Sequence, residues 1–392
     1  MRLKELKTPC FIIDEKELVA NVKDFQDALK SNFEKYIIGY SYKTNSLPYI
    51  IKKVKELGCY AEVVSDTEYA LALEIGYDRG HIIFNGPIKG EEFFKNAVLE
   101  GSIVNLDSQR ELRWLEECDK LGQNIKIGLR VNFNLNRILP GETSAKDEGA
   151  RFGYNYETGQ LKTAIEQIRH MENVQIVGLH MHTSTQSHSQ SIYRELTRKA
   201  CEIAKEYDLH LEYLDVGGSF FGGGDGGEQY RKYVDAIAEV LRDYQMQDIC
   251  LIVEPGASVI ANPISFLTQV IDVKTTDVNR FVVTNGSRVN IDPFMHKERY
   301  VYEIISASEN CIDEQIVCGY TCMETDRLMK IKNEKELKED DYILYKIVGS
   351  YTMCFNPLFI EYFPNVYAIS ENEESKLVRE KWTIKEYCQK CL

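Results

Sequence analysis

No stretch of this chain approaches the roughly 18 consecutive apolar residues of a membrane-spanning helix. Its opening residues, Met1-Arg2-Leu3-Lys4-Glu5-Leu6, contain no apolar signal core. Both absences lead to the expectation of a cytoplasmic protein. Basic blocks are missing too: 47 Lys and Arg stand against 61 Asp and Glu, a net charge of −14. Nothing is therefore offered to a phosphate backbone, and nucleic acid is not an expected partner. The 11 cysteines follow no framework spacing and read as reduced thiols. The single Cys-x-x-Cys pair, Cys388 and Cys391, lacks the second pair or His cluster of a structural zinc site, so no metal is expected. No internal repeat is evident, and the low-complexity patch is the glycine-rich segment 222–227.

What is present suits a globular protein of two or three domains: 392 residues, 44% hydrophobic and 28% charged. A short strand is expected at 7–14 and an amphipathic helix at 15–29. Apolar runs then recur at 36–42, 59–64, 81–84, 102–106, 125–131, 174–180, 211–216 and 250–253. Helical patterns follow at 47–57, 67–75, 108–121, 158–169, 189–207 and 229–244. This alternation predicts an α/β protein with a (β/α)8 TIM barrel, although a doubly wound open sheet would use it as well. Beyond Pro263, strand-like runs at 266–273, 281–284, 300–305, 315–318, 342–348 and 358–362 predict a second, mostly β domain. The expected boundaries are 18–263 for the barrel and 1–17 plus 264–392 for the β domain. The irregular connection 132–156, with Pro140 and three glycines, is long enough to be functional.

One stretch concentrates the chemistry: Ile38-Gly39-Tyr40-Ser41-Tyr42-Lys43-Thr44-Asn45. An apolar, aromatic strand ends in a lysine, and Ser46 and Pro48 read as the cap and first turn of a helix. Lys43 then stands at the carboxyl end of a strand, where α/β folds place their reactive groups. With its stem buried it becomes a candidate nucleophilic amine able to form an imine; the plain alternative is a lysine that snorkels to water. Other strand ends supply His182, then Gly217 and Gly218, then Glu254 and Gly256. Glycines after the last two barrel strands, with a helix starting near Ser258, suit a phosphate. Segment 222–227 fits G-x-G-x-x-G only degenerately and reads as a flexible loop. An amine, an imidazole, a carboxylate and a phosphate cradle together describe a pyridoxal phosphate site. In it Lys43 takes the aldehyde, His182 stacks on the ring and Glu254 pairs with the ring nitrogen.

Several motifs stand in one order: Ser41-Tyr42-Lys43-Thr44-Asn45, Arg151-Phe152-Gly153, Gly178-Leu179-His180, Asp215-Val216-Gly217-Gly218, Glu254-Pro255-Gly256, Cys322-Met323-Glu324-Thr325-Asp326 and Gly349-Ser350-Tyr351. Over nearly the whole chain this resembles the alanine-racemase-like, fold-type-III decarboxylases that include diaminopimelate and ornithine decarboxylases. The resemblance implies pyridoxal 5'-phosphate as cofactor and a homodimer with shared active sites. It also implies Gly217, Gly218, Gly256 and Tyr351 at the phosphate, Thr185 near the cofactor, and Cys322 of the neighbouring subunit acting at the α-carbon. Racemases of the fold place an arginine at the ring nitrogen, so Glu254 favours a decarboxylase; a racemase or a catalytically silent binding protein are the alternatives. The family pattern continues Glu-Pro-Gly with arginine where this chain has Ala257, and it differs again at Asp292, His296 and Met323. The expected substrate is accordingly an unusual or conjugated amino acid of a specialised pathway rather than diaminopimelate. Asp292 or Glu324 would offer charge to its distal end.

Overall fold

The computed structural model describes residues 3–144 and 146–391. Met1 and Arg2 of the N-terminal reading, Ala145 of the long connection and Leu392 of the β domain lie outside the described residues. Two compact units emerge, one from Ala20–Ser258 and the other from Met1–Val19 with Val259–Leu392.

In the first unit eight parallel strands close on themselves: Tyr36–Ser41, Tyr60–Val63, Ile82–Phe84, Ile103–Leu106, Ile125–Asn132, Val174–His180, Tyr213–Asp215 and Cys250–Val253. The last pairs with the first, Val253 opposite Ile38, so these eight strands close into a barrel, and the two-residue strand Tyr154–Asn155 adds to the fifth. All eight apolar runs of the sequence become these strands. Helices Pro48–Glu56, Asp66–Glu74, Glu91–Leu99, Gln109–Asp119, Gln160–Arg169, Gln190–Glu206 and Glu228–Asp243 make the crossovers. All but Asp66–Glu74 space their apolar residues on one face; Ile50, Ile51 and Val54 of the first are fully buried.

Register places the ends of the strands at one level. Ser41 lies opposite Glu62, Val63 opposite Phe84, Arg130 opposite His180, and His180 opposite Asp215. Polar residues therefore collect at the carboxyl ends, while Ile83, Val177, Tyr213 and Ile252 form an apolar cluster within the unit.

Two local expectations fail. Ser46 does not cap the first helix: the strand runs into a 3-10 turn, Tyr42–Thr44, and Leu47 is the cap, without a side-chain bond. Pro48 takes the first helical position, where its missing N–H costs nothing, and holds Leu47 extended. The helix near Ser258 is only Ala257–Ile260, barely one turn, so its dipole adds little.

The second unit is a nine-stranded mixed sheet. Cys10–Asp14 lies between Ile264–Thr275, antiparallel, and Asn365–Ile369, parallel. Phe11 and Phe266 pack with ring centroids 4.6 Å apart in its core. Run 358–362 is not a strand; Leu358, Phe359 and Ile360 form an exposed bend. Arg327–Lys335 is a strand the apolar pattern did not predict, because one face carries charge.

Candidate active site

Lys43 stands in the turn immediately after the first barrel strand, its side chain about a third exposed. Its Nζ lies 3.3 Å from Oε2 of Glu62, which is almost wholly buried on the neighbouring strand. Ser41 Oγ donates to the same oxygen at 2.5 Å. A buried carboxylate needs such donors to remain charged.

Glu62 is joined to Glu254 through one side chain. Asn85 Nδ2 donates to Glu62 Oε1 at 3.1 Å and to Glu254 Oε1 at 2.5 Å. Glu254, at the end of the eighth strand, also has His180 Nε2 at 3.6 Å and His182 Nδ1 at 3.5 Å from its Oε2. Burial works against its charge, yet the His180 imidazole beside it outweighs burial and holds the carboxyl well below the usual carboxylate range. Asp215 behaves oppositely. Burial, then the adjoining Glu254 charge and a hydrogen bond to it, push its carboxyl well above the ordinary value.

Burial pushes the His182 ring down to about 4, leaving it neutral near pH 7. The Gly218 N–H donates to its Nδ1 at 3.0 Å, which places the ring proton on Nε2. Gly217 has φ +64°, and a Cβ there would meet His182 Nδ1 at 2.5 Å; one on Gly218 would meet the Glu254 carbonyl oxygen at 2.7 Å. Glycine is thus required at both positions. A Cβ on Gly256 would collide with the Thr44 hydroxyl. Thr185 follows the sixth strand, bridged to Thr143 of the long connection. Its hydroxyl, that of Ser258 and both ring nitrogens of His180 are buried without a hydrogen-bond partner among the described residues.

Lys43, Arg130, Arg151, Phe152, His182 and Ser184 line one cavity of about 740 Å³. Arg130 is nearly buried, pairs with Asp107 at 3.1 Å and lies over the Phe152 ring, 4.6 Å from its centroid. The other oxygen of Asp107 accepts the Gly153 N–H at 3.2 Å, which ties the Arg151-Phe152-Gly153 motif to the barrel wall. Beneath, Lys89 is wholly buried, donating to Glu111 at 3.0 Å and to the carbonyls of Gly86 and Asn105.

Segment 222–227 is not a nucleotide loop. Asp225 accepts the N–H groups of Gly227 and Gln229 and so occupies the start of the following helix itself.

The remaining expected residues belong to the β unit. Cys322 is exposed on a loop that Asp326 holds in shape: Asp326 is buried and accepts Thr321 N, Thr321 Oγ1 and Ser287 Oγ at 3.1, 2.6 and 2.8 Å. Tyr351 is exposed, with φ +54°. Asp292 corrects the expectation placed on it. It is buried, bound to Arg288 Nε at 2.9 Å, to the N–H groups of His296 and Lys297 and to the Tyr300 hydroxyl, so its charge is already engaged within the unit. His296 is exposed and stacks on Phe294. Met323 N donates to Thr321 Oγ1, and the exposed Glu324 pairs with Arg327 at 3.0 Å.

Sequence reasoning missed Glu62, Asn85, Arg130 and Asp107. A signal existed: Glu62 and Arg130 are charged residues inside otherwise apolar strands, where burial demands a partner.

Residues 16–261 match the family model described as pyridoxal-dependent decarboxylase, pyridoxal binding domain. The diaminopimelate decarboxylase of Methanocaldococcus jannaschii is 28% identical over 361 residues, 88% of this chain and 82% of that protein. That of Helicobacter pylori strain J99 is 27% identical over 358 residues, 88% and 86% of the two chains. The crystal structure of the M. jannaschii diaminopimelate decarboxylase superposes with a TM-score of 0.88 at 25% identity, covering 99% of this chain and 93% of that one. An arginine decarboxylase from Paramecium bursaria Chlorella virus, at 19% identity and a TM-score of 0.77 over 94% of this chain and 97% of that one, shares the fold. Among the described residues no helix is long and apolar enough to cross a membrane. With a closed eightfold barrel, a lysine and a paired carboxylate at its strand ends and this match, the chain belongs to the pyridoxal-dependent decarboxylases, and its barrel is their pyridoxal-binding domain.

Proposed function

We propose that the chain removes the α-carboxylate of an amino acid as CO2, with Lys43 carrying pyridoxal 5'-phosphate. The observation that supports this most is the linkage of Lys43 to Glu254 through Glu62 and Asn85 at the carboxyl ends of the strands. The donor set fits the cofactor: an amine for its aldehyde, an anionic carboxylate for its ring nitrogen, and glycines with the unpartnered Thr185 and Ser258 hydroxyls for its phosphate. When bound, the cofactor supplies a cationic ring that takes up the electron pair left at the α-carbon.

The chain's own groups do the rest. Glu254 keeps a proton on the ring nitrogen because an anion beside it favours the cationic form. Neutral His182 offers a flat face without adding charge. Gly217, Gly218, Gly256 and Tyr351 serve the phosphate, with Thr185 nearby. Cys322 returns the proton to the α-carbon, supplied by a second copy in a homodimer with shared sites. Mixing the inactive variants Lys43→Ala and Cys322→Ala tests this sharing: recovered activity supports it, and none contradicts it.

Substrate choice follows from Ala257, an exposed methyl group directly after Gly256 that holds no distal carboxylate. The relatives named for diaminopimelate make that amino acid the first to assay. Slower release of CO2 from it than from ornithine, lysine, arginine or conjugated amino acids supports the specificity argument; rapid turnover of diaminopimelate overturns it.

A further inference from the structure

We propose that Asn85 is a positioning residue of this site: its side-chain amide clamps the carboxylate that holds Lys43 to the carboxylate that serves the cofactor ring, so that both are kept in place by one amide. This rests on the decarboxylase reading above.

The orientation of the amide is fixed on three sides. Neither carboxylate, when ionised, can donate, so Nδ2 must face Glu62 and Glu254. Asn85 Oδ1 in turn accepts from Asn105 Nδ2 at 2.9 Å. That fixes Asn105 in turn, because Asn85 Oδ1 can only accept: Asn105 must present Nδ2 to it, which leaves its own Oδ1 to the Tyr213 hydroxyl at 2.8 Å and lets Nδ2 also reach Asp215 Oδ2 at 3.2 Å. The Asn85 backbone N–H is anchored on Val63 O at 2.8 Å. The second, third, fourth and eighth strands thus converge on one amide that has no freedom to turn.

Its placement has an electrostatic consequence. Glu62 and Glu254 are both almost fully buried, and two buried carboxyl groups that meet at one side chain each need a hydrogen-bond donor of their own. Asn85 gives each a separate N–H. On Glu62 the division is clean: Oε2 receives Lys43 and Ser41, and Oε1 receives Asn85. The amide therefore keeps a donor on Glu62 whichever way Lys43 is turned. Without it, a proton is drawn from the ring nitrogen onto Glu254 and the ring loses its positive charge.

The test compares the cofactor-loaded wild type with Asn85→Leu, which removes every side-chain bond, and Asn85→Asp, which keeps the shape but adds an acidic group. Three readouts are followed from pH 5 to 10: visible absorbance of bound pyridoxal 5'-phosphate, its dissociation rate and kcat/KM. The expected result is an acid limb displaced upward by about one pH unit in kcat/KM and in the absorbance titration, with cofactor release about tenfold faster. A merely structural asparagine would lower the fraction of loaded protein while leaving both pH profiles in place, and that result overturns the proposal. Asn85→Asp is read where Asn85→Leu does not fold, and unshifted profiles in it overturn the proposal equally. Borohydride reduction of the wild type decides the decarboxylase reading separately.

Discussion

Lys43 Nζ lies 3.3 Å from Oε2 of Glu62, a cation about a third exposed beside an anion almost completely buried on the next strand. Glu62 holds the lysine's head at the mouth of the barrel. Glu62→Gln keeps the shape and removes the charge. Its expected effect is a fall in kcat of about tenfold to a hundredfold with little change in KM, since the substrate's own contacts are untouched. Steady-state kinetics check this, and an unchanged kcat would remove Glu62 from the site.

Stability should respond to pH in two opposite ways. The folded His182 ring titrates at about 4 against an ordinary 6.5, so its contribution is present above 6.5 and lost as pH falls toward 4; that difference is worth about 3 kcal/mol. Asp215 is raised, so the folded state binds its proton more tightly than the unfolded chain does, and stability declines as pH rises above the ordinary 3.8. His182→Gln should flatten the loss toward pH 4. Asp215→Asn, already neutral, should remove the decline at higher pH. Urea unfolding of the two variants and the wild type between pH 4.5 and 8 measures both slopes.

Gly217 carries two constraints at once, a left-handed φ and contact with the His182 ring. Gly217→Ala should weaken binding of pyridoxal 5'-phosphate by about tenfold or more, because the loop must shift away from the imidazole. A fluorescence titration of the apoprotein gives the ratio, and equal affinities would contradict this account of the loop.

The buried pair Lys89 and Glu111 lies away from the reacting groups yet supports the strand ends. Lys89→Met leaves Glu111 charged and unpaired, at a cost of about 3 to 5 kcal/mol. Lys89→Met with Glu111→Leu should cost less than the single change, because no charge is stranded. Denaturant midpoints of the two variants decide the order.

Much of this architecture was legible in the residues. The eight barrel strands are short apolar runs bounded by polar residues, and Lys43, His182 and Glu254 each stand where such a run stops. The linkage between them was not legible. Asn85, Asn105 and Asp215 are far apart in sequence, and only the closure of the sheet brings their polar groups together. Asp292 misled for a related reason: its arginine partner is a helical turn earlier, and sequence alone cannot say whether a carboxylate faces a neighbour or a ligand. In the β unit, Arg327–Lys335 escaped notice because charged side chains on an exposed face mask the alternation. Run 358–362, apolar enough to suggest a strand, stays outside the sheet with its large side chains in solvent.

Borohydride reduction of the protein incubated with pyridoxal 5'-phosphate, followed by mass spectrometry of its peptides, reaches the central claim most directly. The account predicts one reduced pyridoxyl group, on the peptide that contains Lys43, and none in Lys43→Ala. A label on another lysine, or no label at all, would contradict it.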